Sequence, residues 1–381
     1  MPLSILIAPD KFKGTLTATQ AAQTIARGWK KARPNDHLTL LPISDGGDGF
    51  GHLLARRLKV KARVGTSKNP YGSFIDHYWW FCDATKTAII ESAEIIGLVK
   101  LQQNFAPNPM HADTTGLGLT LTTVNSGIEK GTGIPKHAIV GIGGSATNDG
   151  GFGMARELGW HFLDETGLEI EHWPDLVSLK KITEPNPKEQ CLCNLDSITV
   201  AVDVQNPLLG PNGCTRVYGP QKGLCRETIP KAEAALTQLA NIWKAQTGED
   251  AAGLPGAGSA GGLGFGLHCF AGAVIRPGFE LYAETVGLNG LLKEANIVVT
   301  GEGTMDRQSI MGKGVGELAK LARTQSCRCL GLAGVVEDRS TLTEQMEDCR
   351  ALTDLTSLVE AKKNASQWLE KLAQSTAQSI I

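Results

Sequence analysis

Short apolar runs alternate with amphipathic stretches at both ends of the chain, and the alternation predicts strands and helices in turn. Residues 4–8 read as a buried strand, and Thr17 is placed to cap a helix over about residues 18–31. A second strand follows at 37–42, then a helix over Phe50–Leu58. Toward the other end, strands are expected at 295–300 and Arg328–Ala333, a helix between them at 313–323, and one long closing helix at 357–378. Strand, loop and helix in repetition point to a parallel sheet. The middle differs. Residues 78–83 and Thr87–Glu91 flank 84–86 as an antiparallel hairpin. A helix at Thr115–Ser126, a strand at 138–142, a short helix to about Leu158, a strand at Ser197–Val202 and an amphipathic helix at 227–246 come next, with 173–195 polar and irregular. The pattern predicts an α/β protein of two domains. One is a discontinuous Rossmann-like parallel-sheet domain, 1–68 with 292–381; the other is an inserted mixed α/β domain, 69–291.

Composition narrows the class. The chain has 381 residues, 41% hydrophobic and 20% charged, enough for a large core. A net charge of −2 gives no general attraction to nucleic acid or to a membrane. Nine cysteines include the C-x-C pairs Cys191/Cys193 and Cys327/Cys329, with no His or Cys partners at metal spacing. They read as reduced, mostly buried thiols of a cytoplasmic protein. Residues 251–275 carry no charge and are long enough to span a bilayer. Eight glycines and Pro255 make them a poor membrane helix and suit tightly approached backbone instead.

Candidate chemistry lies in the glycines. There are 45 of them, and they gather with charge: PDKFKGT (9–15), SDGGDG (44–49), GIGGSATNDGG (141–151), VDVQNPLLG (202–210), GPQKG (219–223), GAGSAGGLG (256–264), TGEGTMD (300–306) and GKG (312–314). Each alone is ordinary turn chemistry, and an acid such as Asp45 also suits a helix start. Together they interleave Lys with Asp and Glu. Independent turns do not need that mixture, whereas a phosphate–Mg²⁺ site does. Most follow a strand or precede a helix, where backbone N–H groups and a partial positive charge favour anions. GIGGSA at 141–146 also fits a dinucleotide fingerprint, with Asp164 downstream, and keeps an NAD(P)-dependent dehydrogenase open. Residues 147–151 prolong that loop, however, and the other charged loops go unexplained. The P-loop pattern, H-E-x-x-H and G-x-S-x-G are all missing from the sequence.

The segments APDKFKGTL, SDGGDG, GIGGSATNDGG, DVQNPLLG, YGPQKG, PGAGSAGGLG and TGEGTMD, in this order from about Ala8 to Gly314, resemble the bacterial glycerate kinase family, the class without a P-loop. The resemblance implies an ATP-dependent kinase of two α/β domains with its active site in the cleft between them. The reaction implied is phosphorylation of D-glycerate, with ATP as co-substrate, Mg²⁺ as cofactor and 2-phosphoglycerate, ahead of 3-phosphoglycerate, as product. The protein would be a monomer or homodimer. Thr304, Met305 and Arg307 depart from the usual pattern, as does Gly314–Val315–Gly316.

On this resemblance, Gly143, Gly144 and Ser145, with Gly258, Ser259, Gly261 and Gly262, are expected to cradle ATP phosphates. Lys11 and Lys13 would reach phosphate or the glycerate carboxylate, with Lys222 and Lys313 in reserve. Asp203, ending a strand ahead of Asn206, is the candidate base or Mg²⁺ ligand. Lys11 and Asp149 join it as catalytic candidates. Glu302 and Asp306 are the metal candidates, and Asp45, Gly46, Gly47, Asn148 and Asn206 complete the substrate and nucleotide contacts. In SDGGDG, Gly46 and Gly47 would open the backbone while Asp45 and Asp48 face the cleft.

Overall fold

A computed structural model describes residues 1–98, 108–127, 133–186, 192–307, 309 and 314–380. The chain gathers into two compact units, 1–45 with 279–381, and 46–278.

The first unit is built on five parallel strands in the order Asp348–Ala351, Arg328–Ala333, Ile297–Thr300, Ser4–Ile7, His37–Leu40. Ser4–Ile7 and Ile297–Thr300 are apolar almost throughout because helices cover both faces of an interior parallel strand. Ile5, Ile7, Val299 and Leu332 pack with Ile25, Trp29, Leu369 and Leu372 into one core. Thr17 caps helix Ala18–Ala32 in a reciprocal box with Gln20. The expected single closing helix is two, Leu358–Lys363 and Ala365–Gln378. Asn364 breaks it at φ −123°, ψ 41°.

The second unit carries a six-stranded sheet, Val274–Pro277, Ser197–Val202, His137–Gly141, Thr87–Glu91, Phe74–Cys82, Ala62–Lys68. The first four strands run parallel, and the last two pair antiparallel as the hairpin pattern anticipates. Ala62–Lys68 pairs along its whole length with Phe74–Cys82. Residues 46–68 therefore group with the middle of the chain, unlike the boundary at 68 expected from sequence. Residues 251–275, expected as tightly approached backbone, contain helix Ser259–Ala271, buried along most of its length. Within 173–195, expected to be irregular, strand Lys181–Thr183 pairs with His161–Leu163, and 187–191 lie outside the described residues. Six of the described cysteines are buried free thiols, whereas Cys193 and Cys225 are exposed. Among the described residues no helix is long and apolar enough to cross a membrane.

Parallel strands bring their carboxyl ends to one edge, so each sheet presents its connecting loops together.

Candidate active site

In the second unit the parallel strands end at Glu91, Gly141, Val202 and Pro277. The loop after Gly141 lies against the SDGGDG loop, backbone to backbone. A Cβ on Gly143 would stand 2.5 Å from the Gly47 Cα, and one on Gly46 would stand 3.0 Å from both Val202 C and Gly278 Cα. Gly144, with φ +77°, is exposed while its neighbours are buried. Gly46, Gly47, Gly143, Gly144 and the end of the strand leading to Asp203 therefore meet at one place.

The second glycine cluster meets the first from the other side. Ala260, Gly261 and Gly262 form one left-handed turn, with φ 57°, 74° and 86°, before the regular part of the helix. Ala260 holds this conformation despite its Cβ, at a cost of about 1 kcal/mol or more. Its carbonyl accepts the Ser145 hydroxyl at 2.9 Å, and the Gly261 carbonyl accepts Gly150 N–H at 3.0 Å. A Cβ on Gly261 would run into the Thr147 carbonyl, and one on Gly258 into the Pro207 carbonyl.

Lys222 anchors the first cluster, with its Nζ 2.8 Å from where a Gly261 Cβ would stand. Its buried ammonium donates to Ser145 Oγ at 3.1 Å and to the Thr147 carbonyl at 2.6 Å. Burial pushes its pKa down to about 8, against the pull of Cys214, Asp149 and Asp203. Asp203 itself is exposed at the strand end, near enough to Tyr218 and Lys222 to influence both.

Several polar side chains expected at ligand are occupied by the framework. Asp149 is sealed from solvent. It accepts Thr114 N–H at 2.9 Å, Thr114 Oγ1–H at 2.7 Å, Gly153 N–H at 3.0 Å and Gly151 N–H at 3.2 Å. Burial and Asp113 raise its pKa to about 6, those bonds opposing. So placed, Asp149 shapes the loop and has no surface to offer a substrate. Ser259 donates to the Val204 carbonyl, Asn148 Nδ2 to Thr215, and Asn206 Nδ2 to the Asn212 carbonyl while accepting the Tyr218 hydroxyl.

In the first unit the sheet's carboxyl edge carries Asp10, Lys11, Asp45 and Glu302. Asp10 is absent from the sequence-based candidates, although it opens the loop after a buried strand as Lys11 does. Its N–H donates to the Gly301 carbonyl at 2.8 Å, and its Oδ1 accepts Lys11 N–H at 2.6 Å. Burial, then Asp45 and more weakly Glu302, push its pKa up to about 7, the Lys11 amide and charge opposing. Lys13 is exposed, and a Cβ on Gly303 would come within 3.1 Å of the Lys13 backbone nitrogen. Asp306 is drawn into its own turn: Ser309 N–H donates to Asp306 Oδ1 at 3.0 Å, and Asp306 N–H to Ser309 Oγ at 3.1 Å. Lys313 lies outside the described residues.

Contrary to the expectation that 258–262 cradle phosphate, the Gly258, Ser259 and Gly262 N–H groups donate to the Asn206, Gly256 and Gly258 carbonyls. The arrangement therefore offers a backbone-lined anion cradle at Gly143–Gly144 in one unit and, in the other, a group of carboxylates that repel each other and so favour a cation. The dinucleotide fingerprint fits less well. Its loop continues to Gly151 before helix Phe152–Glu157 begins, so the helix does not open at the fingerprint glycines.

A family model described as "Glycerate kinase family" matches residues 5–381. A curated glycerate kinase of Halalkalibacterium halodurans is 36% identical over 98% of this chain and 97% of its own. The glycerate 2-kinase of Escherichia coli is 34% identical over 93% of this chain and 91% of its own. A crystal structure from Salmonella typhimurium LT2, 31% identical, has a TM-score of 0.78 and covers 99% of this chain and 98% of that one.

Proposed function

Because this chain belongs to the glycerate kinase family, we propose that it transfers the γ-phosphoryl group of ATP to O2 of D-glycerate, giving 2-phosphoglycerate and ADP. The observation that carries this reading is the near full-length relation to a curated glycerate 2-kinase. The loop architecture supports it, since phosphoryl transfer demands alignment and charge neutralisation more than covalent chemistry from the protein.

The cradle at Gly143–Gly144 holds phosphate oxygens through backbone N–H groups. The Gly258–Gly262 turn, whose Gly258, Ser259 and Gly262 N–H groups donate to the Asn206, Gly256 and Gly258 carbonyls, buttresses it from beneath Ser145. Lys222, Ser145, Asn148, Asp149 and Ser259 keep that cradle and its buttress in shape. Lys11 and Lys13 supply positive charge for phosphate or for the glycerate carboxylate. Asp203 accepts the proton of the attacking hydroxyl, whose oxygen forms the new bond to phosphorus as the bond to the ADP oxygen breaks.

The donor set in the first unit fits Mg²⁺. Among the described residues no three His, Cys, Asp or Glu side chains are gathered to hold a metal alone. Mg²⁺ is commonly held by one or two carboxylates, with phosphates and water completing its shell. Asp10, Asp45 and Glu302 are the residues that would hold it, and its charge would offset that of the triphosphate.

The test is a steady-state assay of the purified protein with ATP, Mg²⁺ and D-glycerate, the product position being read from ³¹P–¹H coupling. ADP release dependent on glycerate and on Mg²⁺, with phosphate on O2, is expected. No glycerate-dependent ADP release would overturn the activity; phosphate on O3 would overturn the regiochemistry.

A further inference from the structure

Glu91 ends strand Thr87–Glu91 on the same edge as the glycine cradle, in register with Gly141. It is 2% exposed. Its carboxylate crosses to the first turn of helix Phe50–Leu58, where Oε1 accepts Gly49 N–H at 2.5 Å and Oε2 accepts Gly51 N–H at 3.1 Å. That helix has no side-chain cap of its own, since its N-cap is Gly49 at φ 95°. Glu91 supplies the missing acceptors from 42 positions away. Gly51 is where a close carboxylate requires it, as a Cβ there would stand 2.8 Å from the Trp80 ring and 3.1 Å from Glu91 Oε2.

Two consequences follow. The first N–H groups of this helix are already met by an internal carboxyl, so the N-terminus of Phe50–Leu58 is not the phosphate cradle. The 46–49 segment is instead clamped from one side by Glu91 and pressed on the other against Gly143 and Gly144, with Asp48 Cβ 3.5 Å from where a Gly144 Cβ would stand. We propose that Glu91 is a positioning residue for the phosphoryl-transfer reaction, fixing the 46–49 loop as the wall that holds the Gly143–Gly144 cradle in its working shape. The proposal rests on the kinase reading above and adds to it a residue that touches no substrate.

The test compares wild type, Glu91→Gln and Glu91→Asp as full chains. Glu91→Gln keeps one acceptor oxygen but turns an amide toward an N–H. A displacement on the order of 1 Å in a positioning element costs up to about 10²-fold in rate. We expect kcat to fall roughly 10–100-fold in Glu91→Gln with KM for D-glycerate little changed, while the melting midpoint drops modestly because one buried N–H loses its acceptor. Glu91→Asp retains a carboxyl within reach of one N–H and should recover part of kcat. Amide exchange at Gly49 and Gly51 should accelerate in Glu91→Gln. Wild-type kcat in Glu91→Gln overturns the proposal. So does loss of fold in both variants, which would make Glu91 a fold determinant alone. A wild-type chain that does not phosphorylate glycerate refutes the kinase reading, and unchanged exchange at Gly49 and Gly51 separately refutes the clamp.

Discussion

The Lys222 ammonium lies 2.6 Å from the Thr147 carbonyl oxygen, across 75 positions of sequence, and so joins the turn after Tyr218 to the glycine loop after Gly141. A lysine buried there holds a lower pKa folded, about 8, than unfolded, near 10.5. Between those values the unfolded chain binds the extra proton, so stability from this position rises with pH. Wild type should gain on Lys222→Met between pH 8 and 10.5, by up to about 3 kcal/mol. Groups far from Lys222 titrate alike in both proteins and largely cancel in the difference, and the comparison is read below the range where Cys214 titrates. Chemical denaturation at several pH values checks this, and parallel curves would show that the ammonium is not desolvated.

Asp10 works in the opposite sense. Its pKa is raised from 3.8 to about 7, so between those values the folded protein holds the extra proton and stability from this position falls as pH rises. Asp10→Asn keeps an acceptor for Lys11 N–H and cannot ionise. Its melting midpoint relative to wild type should climb from pH 4 to pH 7 and level off above. A pH-independent difference would place the Asp10 carboxyl in contact with water.

Why some of this was legible in sequence and some was not has physical causes. Ile297–Thr300 reads as a strand because both faces are buried, and Ala18–Ala32 as a helix because Thr17 and Gln20 mark its start. Ala62–Lys68 is an edge strand with Val64 exposed, so it lacks an apolar signature and its place in the middle unit stays hidden. Helix Ser259–Ala271 is glycine-rich and has poor intrinsic propensity. Gly264 and Gly266 are there because Gly256 and Gly150 approach too closely for a Cβ, a tertiary fact. The glycine loops were visible as clusters. The occupation of Ser145, Asp149 and Ser259 by framework bonds was not, because their partners Ala260, Thr114 and Val204 lie 115, 35 and 55 positions away. Asp10 and Glu91 carried the usable signal of an acid at or just past the end of a buried strand.

Glycine substitutions separate close approach from mere flexibility. Gly261→Ala would place a Cβ in the Thr147 carbonyl at φ +74°. It should destabilise the fold by roughly 1–3 kcal/mol, as overpacking does, with added backbone strain. Gly290 lies inside helix Leu288–Glu294, and a Cβ added there would meet nothing within 4 Å. Gly290→Ala should stabilise by roughly 0.5–1 kcal/mol through helix propensity and chain entropy. Melting midpoints that shift in opposite directions confirm the distinction, and a tolerated Gly261→Ala would mean the left-handed turn relaxes freely.

Asp203 carries the sharpest kinetic expectation. It stands exposed at the end of Ser197–Val202, beside the point where Gly46 packs on Val202 and within electrostatic reach of Lys222 and Tyr218. An amide in its place keeps size and polarity but cannot take a proton. If Asp203 receives the proton of the glycerate hydroxyl, Asp203→Asn should lower kcat by at least ~10²-fold, within the usual range for loss of a general base. The melting midpoint should hold, because an exposed side chain contributes little to the core. If phosphate is gripped by backbone N–H groups, as proposed, affinity for MgADP, measured by calorimetry, should change little. A variant with normal turnover would remove Asp203 from the chemistry. One with normal kcat but weakened glycerate binding would make it a substrate contact, and the proton would then leave to water.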